Sequence, residues 1–77
     1  MKIGDKVKLF YDGRPLTRII HDGIGTITKI TPSGYFRIVG KTGKTERNEL
    51  FDSLTGFARG WNTLWFEEME DNNDRET

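Results

Sequence analysis

The stretch GIGTITKIT (residues 23–31), followed by PSG (32–34), YFRIVG (35–40), K41, TGK (42–44) and TERNELF (45–51), decides the fold. Ile24, Thr26, Ile27, Thr28 and Ile30 are β-branched, and Tyr35 to Gly40 is equally suited to an extended, half-buried strand. The interruptions at Pro32-Ser33-Gly34 and Thr42-Gly43-Lys44 carry the residues that hairpin loops need, because they supply positive or pre-set φ values. Both are too short for anything but antiparallel neighbours. Residues 24–50 therefore read as a three-stranded meander, with the strand from Lys44 to Phe51 last.

Upstream, Gly4-Asp5 opens the run Lys6 to Tyr11, in which Val7 and Leu9 alternate with Lys6, Lys8 and Phe10. Period-two alternation predicts a strand with one buried face. Asp12-Gly13 and Pro15 end it, and Arg14 to Asp22 reads as a long loop with a short extended arm at Thr17–Ile20. Downstream, WNTLWF (residues 61–66) is the last apolar segment. Leu54, Phe57, Trp61 and Trp65 also fit a helical spacing, but Gly56 and Gly60 inside a helix would cost about 1 kcal/mol each relative to Ala, so a closing strand is predicted. Four or five short strands, with one longer loop after the first, predict a mainly β, SH3-like small barrel, whose closure removes exposed edges.

The chain of 77 residues is one domain, with residues 1–66 as the barrel and 67–77 as a flexible acidic tail. The net charge of zero conceals an asymmetry. Residues 1–66 hold 11 Lys and Arg against 6 Asp and Glu, a balance of +5, and residues 67–77 hold Arg75 against six acids, a balance of −5. The sequence contains no cysteine, which excludes disulfides, zinc ribbons and thiol catalysis and favours a cytoplasmic location for so small a domain. No run resembles a signal peptide or approaches the ~20 apolar residues of a membrane span, so no membrane association is expected.

Ile3-Gly4-Asp5-Lys6-Val7, followed by Asp22-Gly23-Ile24-Gly25-Thr26-Ile27-Thr28-Lys29-Ile30, resembles the KOW-type and related SH3-like barrels of ribosomal proteins and transcription elongation factors. In those modules a GD-x-V strand leads through a loop into a G-x-G-x-[IV]-x-x-[IV] strand. The resemblance spans roughly residues 3–51 and implies that Gly25 is where a barrel strand bends and that Arg47-Asn48-Glu49-Leu50 lies on the closing fourth strand. It also implies a nucleic-acid setting. The chain departs from the pattern in its longer loop 12–22 and in the two-tryptophan segment after Gly60. A tiny barrel with a charged tail is also similar to small proteins of bacteriophages.

No enzyme signature is present: no P-loop, dinucleotide fingerprint, HExxH or GxSxG. His21, beside Asp22, has no nucleophile to serve and reads as a solvated loop histidine. Glu67, Glu68, Glu70, Asp71 and Asp74 lack the spacing of a hard-cation loop, so neither metal nor cofactor is expected. The function expected is non-catalytic binding. Arg14, Arg18, Lys41, Lys44 and Arg47, with Tyr35 and Arg37 turned outward by strand parity, offer phosphate contacts and base stacking to RNA or DNA. The alternative is a protein-interaction module, a phage-type modulator of a host protein or a homodimer, that uses Trp61, Trp65 and Phe66 with the acidic tail. The same three aromatics would instead be hidden if the segment folds over an open barrel end.

Overall fold

Strand β1 (Lys6–Asp12) is the pivot of the architecture, because both β2 (Ile20–Ile30) and β5 (Leu64–Glu68) pair with it antiparallel. β3 (Tyr35–Thr42) and β4 (Thr45–Asp52) complete a five-stranded antiparallel sheet of order β4-β3-β2-β1-β5, curled into a half-barrel. The computed structural model describes residues 1–14, 16 and 18–69, and no helix occurs among them. The meander expected over residues 24–50 is β2-β3-β4, turning at Gly34 (φ 95°) and Gly43 (φ 59°).

Alternation on each strand selects the concave face. Val7 and Leu9 from β1, Ile27 from β2, Ile38 from β3, Phe51 from β4 and Leu64 and Phe66 from β5 form the core, joined by Ala58. Phe36 and Tyr11 pack against it from either side. Gly25 lies in the same inward row, where an added Cβ would stand 2.6 Å from Cγ2 of Ile38 and 2.9 Å from Cδ1 of Leu9. Only a glycine leaves room there for the core side chains of the neighbouring strands.

The register shifts between Ile27 and Lys29, with Thr28 as the extra residue. Without this bulge, strict alternation would carry Lys29 into the core row behind Ile27. With it, Lys29 pairs opposite Arg37 and stays exposed. A bulge thus spares the core a buried charge.

The closing segment differs in detail from the sequence expectation. The strand begins at Leu64 rather than Trp61 and continues through Glu67 and Glu68, so two acids assigned to the tail belong to the sheet. The expected flexible tail otherwise falls on Glu70–Thr77, outside the described residues. Gly56 (φ 85°) and Gly60 (φ 81°) are turn glycines, which rules out the helical reading of this region.

Between them, residues 56–59 bridge the two sheet edges. Ala58 N–H donates to the Leu64 carbonyl and Arg59 N–H to the Leu50 carbonyl, while the Gly56 carbonyl accepts from Phe66 N–H. The segment closes one end of the half-barrel over Phe36, Phe51 and Phe66, whose rings meet at centroid distances of 5.8 and 5.9 Å.

The long loop is also shorter than expected. β2 begins at Ile20, so the connection spans only residues 13–19, and His21 lies on a strand. Its side chain is half-buried on the concave face, not a solvated loop group.

Candidate functional site

At the end of the half-barrel opposite the phenylalanine cluster, the inward rows change chemistry. Tyr11 follows Leu9 on β1, His21 lies directly opposite it on β2, and Thr42 ends the row on β3. Arg47 extends the same face on β4, and Trp61 approaches from the loop before β5. The Tyr11 and His21 rings stack with centroids 6.4 Å apart, and Trp61 meets Tyr11 edge-on at 6.4 Å. The Arg47 guanidinium lies 4.6 Å from the Tyr11 ring centre and 5.8 Å from that of Trp61, within cation–π range of both. Its Nε donates to the hydroxyl of Thr42 at 2.8 Å, and Thr42 is 2% exposed.

Tyr11, His21, Thr42 and Arg47, with Gly43, Lys44 and Thr45, line a recess of about 430 Å³, and Trp61 lies next to it against Tyr11 and Arg47. A larger depression of about 640 Å³ lies along the β3–β4 hairpin, where Glu46 and Glu49 oppose Lys41 and Arg47 and no aromatic ring contributes. Mixed charge without a stacking surface makes that depression the weaker site, despite its size.

Topology brings most of the sequence-predicted cations to this end. The β1–β2 loop carries Arg14 and Arg18, and the β3–β4 turn carries Lys44, with Lys41 and Arg47 on the strands it joins. Gly43 N–H donates to the Asp22 carbonyl at 2.8 Å, which holds that turn beside the start of β2. Arg14, however, is engaged. Its Nε and Nη2 donate to both oxygens of Asp12 at 2.9 and 2.8 Å. The side-chain hydrogen bonds from Arg14, seconded by its backbone N–H, hold the Asp12 carboxyl down at about 2. Arg18 adopts φ 62° in the loop, a left-handed conformation unusual for a residue with a Cβ.

Two predicted nucleic-acid contacts lie elsewhere. Tyr35 begins β3 at the opposite end, under the Arg59 guanidinium at 5.5 Å, and Arg37 donates to Asn48 at 2.8 Å in the middle of the convex face. The expected protein-contact patch also divides. Phe66 is a core residue at 8% exposure and cannot serve as a surface contact. Trp61 lies beside the recess, against Tyr11 and Arg47. Trp65 lies on the convex face, stacked on Phe10 at 5.5 Å and beside Phe57 at 6.0 Å, with its indole N–H donated to Glu67.

Sequence reasoning did not place Tyr11 or Thr42 in a site. The signal for Tyr11 was available, because it continues the inward row of Val7 and Leu9 with a polar-tipped ring. Thr42 was hidden by its position in a turn motif. Among the described residues, no group of three or more His, Asp or Glu side chains is placed to hold a metal ion, and no helix is long and apolar enough to cross a membrane. Compared with protein-family models, curated proteins and solved structures, the chain matches none at a significant level.

Proposed function

We propose that this protein is a non-catalytic module that binds single-stranded RNA or DNA at the open end of its half-barrel. One observation carries the reading: Lys44 and Arg47 line a recess with the ring of Tyr11, and Trp61, Lys41 and the loop bearing Arg18 lie at the same end of the sheet. Phosphate neutralisation beside exposed rings is the combination that single-strand binders use, and stacking is worth about 1–3 kcal/mol per base. Asp12, Asp22 and Glu46 offset part of the positive charge, so the affinity expected is modest.

Fluorescence anisotropy of a labelled single-stranded oligonucleotide across a salt series tests this. Each phosphate neutralised contributes about −0.7 to the slope of log K against log salt, so engaging two to four cations gives a slope between about −1.5 and −3. No binding at low salt, or binding indifferent to salt, contradicts the proposal.

A second reading rests on the convex face. Phe10, Phe57 and Trp65 form a contiguous ring cluster there, and Phe57 is 39% exposed. Such a cluster suits a protein contact, either another protein or a second copy of this chain. Sedimentation of wild type and Phe57→Ser at high concentration separates a homodimer from a monomer awaiting a different partner.

A further inference from the structure

Arg47 is held unusually well for a cation that forms no ion pair among the described residues, although Glu46 and Glu49 line a neighbouring depression with it. Thr42 fixes its Nε, Tyr11 lies against one face of the guanidinium, and Trp61 is close by. A guanidinium carries five N–H donors in a planar fork. Only Nε is engaged here, since the terminal nitrogens make no hydrogen bond or ion pair among the described residues. Asp12, the acid at the end of β1, is already bound through both oxygens to Arg14. The fork is thus oriented in advance and open, which lowers the entropic cost of receiving an oxyanion.

Thr42, at 2% exposure, is the most buried residue of the recess lining. About 430 Å³ suits one nucleotide unit, and Lys44 supplies a second cation on its lining.

We propose that this recess holds the terminal phosphomonoester of a nucleotide, with its phosphate on the Nη1 and Nη2 of Arg47 beside Lys44 and its ring against Trp61. The proposal rests on the nucleic-acid reading above and adds to it a preference for phosphorylated ends. A terminal phosphomonoester carries up to two negative charges near neutral pH and three free oxygens, where an internal diester carries one charge and two. Two cations and a bidentate fork match the former better.

The test measures binding of the full chain to one short single-stranded oligonucleotide in 5′-phosphorylated, 3′-phosphorylated and unphosphorylated forms, with adenosine monophosphate as competitor. A phosphorylated end should bind about tenfold or more tightly than the unphosphorylated form, given what charge-assisted hydrogen bonds contribute. Arg47→Lys keeps the charge and loses the fork, so that ratio should fall toward one while the thermal melt stays within a few degrees. If Arg47→Lys does not fold, Lys44→Ser at the exposed turn should still reduce the ratio several-fold. Equal, salt-sensitive binding of all three oligonucleotides overturns the end site and leaves the nucleic-acid reading standing. Binding of the mononucleotide alone, lost in Arg47→Lys, supports the phosphomonoester site and removes the nucleic-acid reading. Binding of none of them overturns both.

Discussion

At one end of the sheet, Phe36, Phe51 and Phe66 meet ring against ring beneath the bridging segment 56–59; at the other, Tyr11, His21 and Trp61 surround a guanidinium and leave a recess open. Both ends are built from the same inward rows of the same five strands. What separates them is a plug. Ala58 and its neighbours hydrogen-bond to both sheet edges at the first end, whereas at the second the loop before β5 reaches β4 through the Trp61 ring beside Arg47. A small barrel can therefore divide its labour along its axis, with apolar closure supplying stability and polar aromatic residues left for contact. The comparison predicts that substitutions at the closed end act on folding, and those at the open end on binding.

The largest effect should come from between the two ends, where β2 and β3 approach so closely that a Cβ on Gly23 would collide with the Lys41 carbonyl. Gly23→Val should leave little folded protein, as read by circular dichroism, and a native spectrum would show that β2 and β3 can separate to admit a side chain. Phe51→Ala, at the closed end, should cost about 3–5 kcal/mol in denaturant unfolding, the usual range for truncating a buried aromatic. For a domain this small that is a large share of its total stability.

Trp61→Ala acts on the open end. It should cost no more than about 1 kcal/mol of stability, because Trp61 is 38% exposed, yet weaken oligonucleotide binding about tenfold. Trp65→Ala, on the convex face, should leave that affinity unchanged. A chain ending at Met69 loses four acids and one Arg and should bind oligonucleotides a few-fold more tightly at low salt, an advantage that shrinks as salt rises. Unchanged affinity would mean that the acidic stretch does not contend with the ligand.

The smallest effect concerns pH. The carboxyl of Asp12 lies at about 2 in the folded chain, below its ordinary 3.8, because Arg14 donates to it. A depressed folded value contributes stability above the ordinary value, and that contribution is lost as pH falls from about 4 through 2. Carboxyl NMR titration should show the low midpoint, and Arg14→Ala should return it toward the ordinary range.

The sheet was legible because alternation at Val7 and Leu9 and the two glycine turns leave little freedom to a chain this short. The bulge at Thr28 was not, since nothing local distinguishes an extra residue from the alternation around it. The site was legible only in part. Lys44 and Arg47 are legible as charges near a turn, but their convergence with Tyr11 and His21 depends on pairings many residues apart, and Lys41 lines a different depression. His21 was misplaced because the loop before it was read three residues too long. Trp61 and Trp65 share strand parity only if both lie on the strand, and β5 begins after the first of them.

The most direct test of the account is an NMR titration of the labelled protein with a short single-stranded oligonucleotide at low and moderate salt. Shifts should gather on Tyr11, His21, Lys44, Arg47 and the Trp61 indole N–H and weaken as salt rises. Shifts confined to Phe10, Phe57 and the Trp65 indole, or a spectrum unmoved at high oligonucleotide concentration, would contradict it.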